Sequence, residues 1–127
     1  MSKVKLNILI IEEDLNRIEL IKQCLDASSS VQWNIQTAYR LVDGLGVLSL
    51  QPVDIVLLAL DLPDSMENAG VKLVQEHISA VPIVIVANEI DASKETELIE
   101  IGVQDYLIAD RFDSESLDRA LRLAIAR

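Results

Sequence analysis

The sequence predicts a single α/β domain, residues 1–127, organised as a doubly wound parallel sheet. Short apolar runs alternate along the chain with segments of helical periodicity, the pattern of a parallel sheet covered by helices. The run from Ile55 to Leu60 is apolar at every position, as in a strand buried on both faces. Aromatic residues make up only 3% of the chain, so the core must be aliphatic. Five such strands joined by right-handed crossovers predict the sheet order 2-1-3-4-5.

The first strand is predicted over Leu6–Ile11, and it ends at the acidic loop Glu12-Glu13-Asp14. A helix follows, because apolar residues then recur at helical spacing. Its predicted buried stripe consists of Leu15, Ile18, Ile21, Cys24 and Leu25. Asp14 is a suitable amino-terminal cap, and the serines at 28–30 end the helix.

The second strand is predicted over Trp33–Ala38, and its more polar composition is typical of a sheet edge. Residues 40–50 are expected to form a helix that Gly44 and Gly46 weaken. The third strand is the fully apolar run that begins at Ile55.

The segment 64–70 is polar and small, and it precedes the third helix. That helix is marked by apolar residues at helical spacing, namely Val71, Leu73, Val74 and Ile78. His77 lies near its end, where a solvated or capping role is expected.

Pro82–Ala87 is almost wholly β-branched and predicts the fourth strand. A helix then begins near Ser93 and ends at a glycine cap, Gly102. The fifth strand is predicted over Asp105–Ile108, and the last helix begins at residue 113 or 114. The predicted buried face of that helix consists of Leu117, Ala120, Leu121 and Ala124.

The charge balance restricts the partners. The net charge is −10, which argues against a nucleic acid or an acidic membrane surface, because both are bound chiefly through lysine and arginine. Cys24 is the only cysteine, so an internal disulfide is excluded. The chain has neither an apolar signal segment at its amino terminus nor an apolar run of about 20 residues. We therefore expect a cytoplasmic protein that is not inserted in a membrane.

Three segments carry a resemblance to a known family. The run Asp54–Asp64, the segment Gly102–Leu107 and the last-helix segment Arg119–Arg122 resemble the corresponding parts of response-regulator receiver domains. The resemblance extends over essentially the whole chain, and it implies that the segment 64–70 contains a short insertion before Gly70. It implies the flavodoxin-like receiver fold and a role in two-component signal transduction and phosphorelay.

The resemblance also implies that the phosphorylation site is degenerate. Ala59 stands where the family has its phosphate-accepting aspartate, Ala87 where it has a hydroxyl, and Ala109 where it has a lysine. A carboxylate accepts a phosphoryl group through an oxygen lone pair, and an alanine methyl group has none. The chain is therefore expected to be a pseudo-receiver.

Glu12 and Glu13 align with residues that hold magnesium in the family. Without a third carboxylate we expect only weak or vestigial Mg²⁺ binding and no other cofactor. We expect the two glutamates to face each other as like charges with no cation between them. Asp61 and Asp64 lie nearby, but neither is expected to replace the missing aspartate.

Tyr106 aligns with the aromatic switch residue of receivers, although without a hydroxyl at position 87 a packing role is expected. The predicted interaction face lies on the fourth helix, fifth strand and fifth helix. Its charged and apolar residues are Glu95, Glu97, Glu100, Arg119, Arg122 and Leu123. Such a face suits a partner such as a histidine kinase or an output domain, or a homodimer.

Three functions are compatible with these patterns. The first is a phosphorylation-independent, non-enzymatic signalling module that acts through protein–protein interaction. The second is a phosphoacceptor receiver whose site has been inactivated by alanine substitutions. The third, a small flavodoxin-like enzyme or nucleotide binder, is disfavoured because the acidic loop at 12–14 would repel phosphate.

Overall fold

The computed structural model describes residues 2–65, 68–78 and 80–126, which form a five-stranded parallel sheet with helices on both faces. The strands are β1 (Val4–Ile11), β2 (Val31–Ala38), β3 (Ile55–Ala59), β4 (Ile83–Ala87) and β5 (Asp105–Ile108). The helices are α1 (Leu15–Asp26), α2 (Leu41–Leu50), α3 (Ala69–His77), α4 (Ala92–Glu100) and α5 (Ser114–Ala126). The sheet order β2-β1-β3-β4-β5 confirms the prediction.

Two apolar layers flank the sheet, because successive side chains of a strand point to opposite faces. Ile8 and Ile10 of β1 pack with residues of α1 and α5, such as Ile21 and Leu121. On the other face, Leu9 and Ile11 pack with buried residues of α2, α3 and α4. None of the helices in the described ranges is long and apolar enough to cross a lipid bilayer.

Strands β1 and β2 begin earlier than predicted, at Val4 and Val31. Their register is continuous from Val4 opposite Val31 to Ile11 opposite Ala38, whereas β3 joins β1 only at Ile8. Backbone pairing therefore extends β1 over Val4 and Lys5 and β2 over Val31 and Gln32, which the apolar pattern left out.

Both predicted caps are confirmed. The Asp14 carboxylate accepts hydrogen bonds from the backbone N–H groups of Asn16 at 2.9 Å and Arg17 at 3.1 Å. Gly102 has φ 95°, the left-handed conformation that a glycine adopts most easily after a helix.

Two residues of the predicted apolar stripes are exposed instead. Leu15 is 65% exposed at the first position of α1, and Leu73 is 40% exposed on α3. Both lie beside, rather than on, the line of positions that meets the sheet. Met66 and Glu67, within the predicted insertion, lie outside the described residues.

Gly44 has a packing role that its helix propensity does not reveal. A Cβ atom at this position would lie 2.4 Å from Cδ1 of Ile11 on β1, so only glycine allows α2 to approach the sheet this closely. At Gly46 a Cβ atom would meet nothing within 4 Å. The predicted weakening of α2 is thus offset by close packing at Gly44 but not at Gly46.

Candidate functional site

A cavity of about 180 Å³ lies at the carboxyl ends of β1, β3 and β4, where open parallel sheets place their functional residues. It is lined by Glu12, Glu13, Asp14, Arg17, Ala59, Asp61, Val86, Ala87 and Asn88. The cavity therefore combines acidic side chains, a single arginine and two of the alanines that the sequence singled out.

Glu12 is buried, with 3% of its surface exposed, and both of its carboxylate oxygens have hydrogen-bond donors. Oε1 accepts from Nη1 of Arg17 at 2.8 Å. Oε2 accepts from the backbone N–H groups of Glu13 at 2.9 Å and Asp14 at 3.3 Å. A buried carboxylate needs such partners to offset the loss of hydration.

Arg17 joins three segments that meet at this cavity. Its Nη1 binds Glu12 after β1, its Nη2 donates to Oδ1 of Asn88 after β4 at 2.7 Å, and its own backbone belongs to the first turn of α1. The prediction that Glu12 and Glu13 would face each other without a cation is therefore wrong. Glu12 turns inward to the guanidinium, while Glu13 is exposed.

The donor set in the cavity does not fit a magnesium ion. Mg²⁺ requires several oxygen ligands in octahedral geometry, and both oxygens of Glu12 are already engaged by N–H donors. Ala59 contributes no oxygen. In the described part of the chain, no group of three or more His, Cys, Asp or Glu side chains is arranged to hold a metal ion.

The structure brings together only two of the three predicted alanines. Ala59 and Ala87 line the cavity. Ala109 is buried in the apolar layer between the sheet, α1 and α5, and its backbone N–H donates to the carbonyl of Ala87 at 2.8 Å. Position 109 therefore joins the ends of β4 and β5 without presenting a side chain to the cavity.

The two nearby aspartates have different surroundings. Asp61 is exposed at the rim of the cavity. Asp64 caps α2, since its two carboxylate oxygens accept from the backbone N–H groups of Leu41 at 2.7 Å and Val42 at 3.0 Å. Desolvation raises the pKa of Asp64, but these hydrogen bonds and the positive charge of Arg40 outweigh it and place the pKa below its ordinary value.

Tyr106 connects β5 to α4. Its hydroxyl donates a hydrogen bond to Oε2 of Glu95, and its ring packs against the apolar layer beneath α4. The hydrogen bond to the Glu95 carboxylate, together with desolvation, raises the pKa of Tyr106 above its ordinary value. These contacts hold the ring against α4 in this structure.

The predicted interaction face divides into separate surfaces. Arg119 and Leu123 line a groove of about 470 Å³ between β5 and α5. Arg122 points to the other side of α5, where its Nε binds Oδ2 of Asp118 at 2.8 Å. Arg122 is therefore not part of the groove that Leu123 lines, because successive helical residues are rotated by about 100°.

The acidic residues of α4 are divided as well. Glu95 turns to Tyr106 on β5, whereas Glu97 accepts hydrogen bonds from Lys94 and Asn68 on the side of α3. Glu100 is exposed. Ile99 is 63% exposed and, four residues after Glu95, shares its side of the helix. The prediction did not include Ile99, although this spacing could have identified it.

Cys24 and His77 have the ordinary environments that were expected. Cys24 is buried in the layer beneath α1. His77 is exposed at the last position of α3.

Comparison with known proteins identifies the family of the chain. The model of the response regulator receiver domain family matches residues 8–122. A curated relative, the KDP operon transcriptional regulatory protein KdpE of Escherichia coli strain K12, is 25% identical over 123 residues. That match covers 95% of this chain and 52% of the relative, so the chain spans about half the length of KdpE.

Solved structures share the fold at lower identity. The chemotaxis response regulator CheY4 of Vibrio cholerae has a TM-score of 0.79 and 18% identity, covering 97% of this chain and 99% of that one. The receiver domain of the sensor histidine kinase PA1611 of Pseudomonas aeruginosa PAO1, with magnesium in its active-site cleft, has a TM-score of 0.82 and 17% identity. The latter match covers 98% of this chain and 100% of that domain. Because the family match extends from β1 into α5, the chain belongs to the response regulator receiver domain family.

Proposed function

We propose that this chain is a pseudo-receiver, a receiver domain that signals by binding another protein and does not accept phosphate. The observation that carries the proposal is the position of Arg17, whose guanidinium binds Glu12 and Asn88 inside the cavity that Ala59 and Ala87 also line. Transfer of a phosphoryl group to a protein needs a nucleophilic oxygen and a cation that offsets the charge of the transferring oxygens. The methyl group of Ala59 supplies no nucleophile.

Arg17 gives the cavity a positive charge that is part of the chain. The guanidinium binds Glu12 and Asn88 directly, so the Glu12 pair needs neither a metal ion nor a phosphate. We therefore infer that the domain transmits its signal through surfaces that do not depend on a phosphate in this cavity, and that the cytoplasmic location predicted from the sequence suits such a role.

The direct test is treatment with acetyl phosphate and Mg²⁺, followed by intact mass measurement and amide chemical shifts. We expect no adduct of about 80 Da, the mass of one phosphoryl group. Beryllofluoride with Mg²⁺ is expected to leave the amide shifts around Ala59 and Ala87 unchanged. A magnesium-dependent adduct on Asp61 or Asp64 would contradict the proposal.

The alternative is a phosphoacceptor receiver inactivated by alanine substitutions. Restoring the polar side chains that the cavity lacks distinguishes it from a pseudo-receiver. The variant Ala59→Asp, Ala87→Thr, which restores polar groups at the two positions that line the cavity, is compared with and without Arg17→Ala. We expect the double variant to remain unphosphorylated while Arg17 engages Glu12, because the guanidinium holds the carboxylate that a cation would need. Phosphorylation of the double variant with Arg17 in place would support the alternative.

The surface that we propose for the partner is the groove between β5 and α5. Three acidic residues of its lining, Asp105, Asp113 and Glu115, outnumber Arg119, and Leu107 and Leu123 supply apolar contacts. This chemistry suits a basic, amphipathic segment of a signalling protein such as a histidine kinase or an output domain. A homodimer through the same groove would place its acidic residues near one another, so we favour a separate protein.

A basic amphipathic helical peptide of lysine and leucine is a suitable probe of the groove. We expect its addition to shift the amide resonances of Leu107 and Ala120, and Leu123→Glu to weaken binding. Arg122→Gln is the matched control, because Arg122 lies on the other side of α5 and its loss is expected to leave binding unchanged. Shifts confined to α1 or α2 would contradict this location.

A further inference from the structure

The outer edge of β2 lacks the features that normally protect a sheet edge. Edge strands usually avoid pairing with other chains through charged residues, proline, bulges or short length. Residues 31–38 contain no charge, proline or glycine, although 25% of the chain is charged. The ladder between β1 and β2 runs over eight residue pairs in unbroken register. The other edge strand, β5, has only four residues and begins with Asp105.

The backbone hydrogen bonds determine which groups of β2 point outward. The N–H of Val4 donates to the carbonyl of Ser30 at 3.1 Å, and the N–H of Glu12 donates to that of Ala38 at 2.9 Å. Alternate residues of a parallel strand bond to the same neighbour, so the even-numbered residues of β2 face β1.

The odd-numbered residues therefore direct their N–H and C=O groups away from the sheet. The N–H of Val31 is held by Oγ of Ser28 at 3.1 Å. For Trp33, Ile35 and Thr37, no residue within 2–65, 68–78 or 80–126 supplies an outward hydrogen-bond partner.

The side chains of β2 are nearly symmetric about Asn34. On either side of it stand Trp33 and Ile35, then Gln32 and Gln36, then Val31 and Thr37. Outward backbone groups at positions 33 and 35 are equidistant from this centre, which is the arrangement that an antiparallel copy of the same strand requires.

We propose that β2 pairs with β2 of a second copy of this chain, antiparallel and about a two-fold axis at Asn34, which joins the two five-stranded sheets into one. Trp33 of each copy then exchanges backbone hydrogen bonds with Ile35 of the other, and Val31 lies opposite Thr37. Gln32 lies opposite Gln36, whose Nε2 donates to Oε1 of Gln51 in its own chain. Although the chain has a net charge of −10, β2 has no charged residue, so no like charges lie opposite each other in the pairing.

A second copy is the occupant that the strand itself specifies. An extended segment of an unrelated protein could use the outward N–H and C=O groups, but only a copy of β2 reproduces the match of residues on both sides of Asn34. This surface lies at the opposite edge of the sheet from the β5–α5 groove, so the inference does not depend on the proposed function.

Disulfide trapping tests both the partner and the register. Asn34 would face Asn34 as a pair without mutual hydrogen bonds, with Cα atoms about 4.5 Å apart, within the range for a disulfide. We expect Asn34→Cys to form a covalent dimer on mild oxidation, and Gln32→Cys to cross-link only when mixed with Gln36→Cys. The native Cys24 is buried, so the unsubstituted protein gives the background level of cross-linking. Equal self-cross-linking of Gln32→Cys, or none of Asn34→Cys, would overturn the pairing.

A proline substitution tests the backbone contribution. Thr37→Pro removes an outward N–H and leaves the ladder to β1 intact, since edge positions of this kind tolerate proline. In sedimentation equilibrium we expect the association constant to fall about tenfold or more, because two hydrogen bonds are lost per dimer. Thr37→Val, which keeps the N–H, is the matched control and is expected to associate normally.

The remaining outcomes are also decisive. The far-ultraviolet spectrum and the melting curve establish that Thr37→Pro is folded. A monomer throughout the micromolar to millimolar range would overturn the proposal. So would self-association that Leu123→Glu abolishes and Thr37→Pro does not, because that result would place the dimer contact in the β5–α5 groove.

Discussion

Two buried carboxylates, Glu12 and Asp118, each bind an arginine at 2.8 Å, yet they occupy very different surroundings. The arginine side chain of the first pair, Arg17, is 17% exposed, whereas that of the second, Arg122, is 47% exposed. The first pair lies in the cavity at the carboxyl ends of the strands. The second lies on α5, where Asp118 also accepts a hydrogen bond from Nε1 of Trp33 at 3.1 Å.

The difference shows how much the surroundings determine the value of an ion pair. Around Glu12 the donors come from a loop and a helix, whereas Arg122 lies on a helix surface and can turn to solvent if Asp118 is lost. Breaking a buried pair leaves an uncompensated charge, whereas an exposed pair contributes little. We therefore expect the loss of one partner to cost more in the Glu12–Arg17 pair than in the Asp118–Arg122 pair.

The largest effect is expected for Glu12→Ala. It leaves the guanidinium of Arg17 partly buried and the N–H groups of Glu13 and Asp14 without an acceptor, so the free energy of unfolding should fall by about 3 kcal/mol. Urea unfolding at neutral pH measures the change. Glu13→Ala is the matched control, and its exposed side chain should contribute within about 0.5 kcal/mol. Equal effects of the two substitutions would remove the distinction drawn for Glu12.

A smaller fall in the free energy of unfolding, about 1–2 kcal/mol, is expected for Asp118→Ala. The indole N–H of Trp33 then loses its buried acceptor, while Arg122 becomes hydrated. Trp33 is the only tryptophan, so its fluorescence reports the change at this site directly. Asp118→Asn keeps an acceptor for the indole and should recover most of the stability. A loss for Asp118→Ala as large as that for Glu12→Ala would contradict the comparison.

The sequence predicted the sheet order and all ten elements because apolar periodicity reports burial, and burial dominates this fold. It did not predict Arg17, whose side chain lies beside the apolar stripe of α1 and finds Asn88 through the sheet topology, 71 residues away. Asp118 was missed for the same reason. Its acceptor role depends on Trp33, 85 residues distant, and the pattern of α5 alone gives no sign of that contact.

The candidate site could be predicted only in part. Ala59 and Ala87 came from strands whose ends are fixed by the fold, and they lie together as the sheet order requires. Arg122 and Leu123 were grouped because both lie away from the apolar stripe of α5, but only Leu123 lines the groove beside β5. Local pairing of side chains, such as Tyr106 with Glu95, depends on rotamers that periodicity does not specify.

Asp64 extends the comparison to an exposed carboxylate. Asp64→Ala removes the cap of α2 and should cost about 0.5–1 kcal/mol near neutral pH, a value limited by solvent screening. Because the folded pKa of Asp64 is lowered, its contribution is present above the unfolded pKa and is lost as the pH falls through the folded pKa. The difference in melting temperature between the wild type and Asp64→Ala should therefore shrink below about pH 4. Asp64→Asn is the control, because it keeps a neutral cap on α2. If the difference in melting temperature between the wild type and Asp64→Ala stayed constant in acid, Asp64 would not be the charged cap of α2.

The smallest effect is expected for Arg122→Ala, which tests whether the second ion pair is as weak as its exposure indicates. Asp118 keeps its hydrogen bond from Trp33, and the pair lies on a helix surface at a spacing of four residues, so the loss should be about 0.5 kcal/mol and should fall with added salt. Arg17→Ala is the natural counterpart, because it removes the arginine from the buried pair and should cost several times more, about 2–3 kcal/mol, with little dependence on salt. Urea unfolding of both variants at low and high ionic strength measures the contrast. Equal losses of unfolding free energy, or a salt dependence for Arg17→Ala as steep as for Arg122→Ala, would contradict this contrast. Either result would mean that water reaches Glu12 as readily as it reaches Arg122. The cavity would then be open to the cations that Arg17 is proposed to replace.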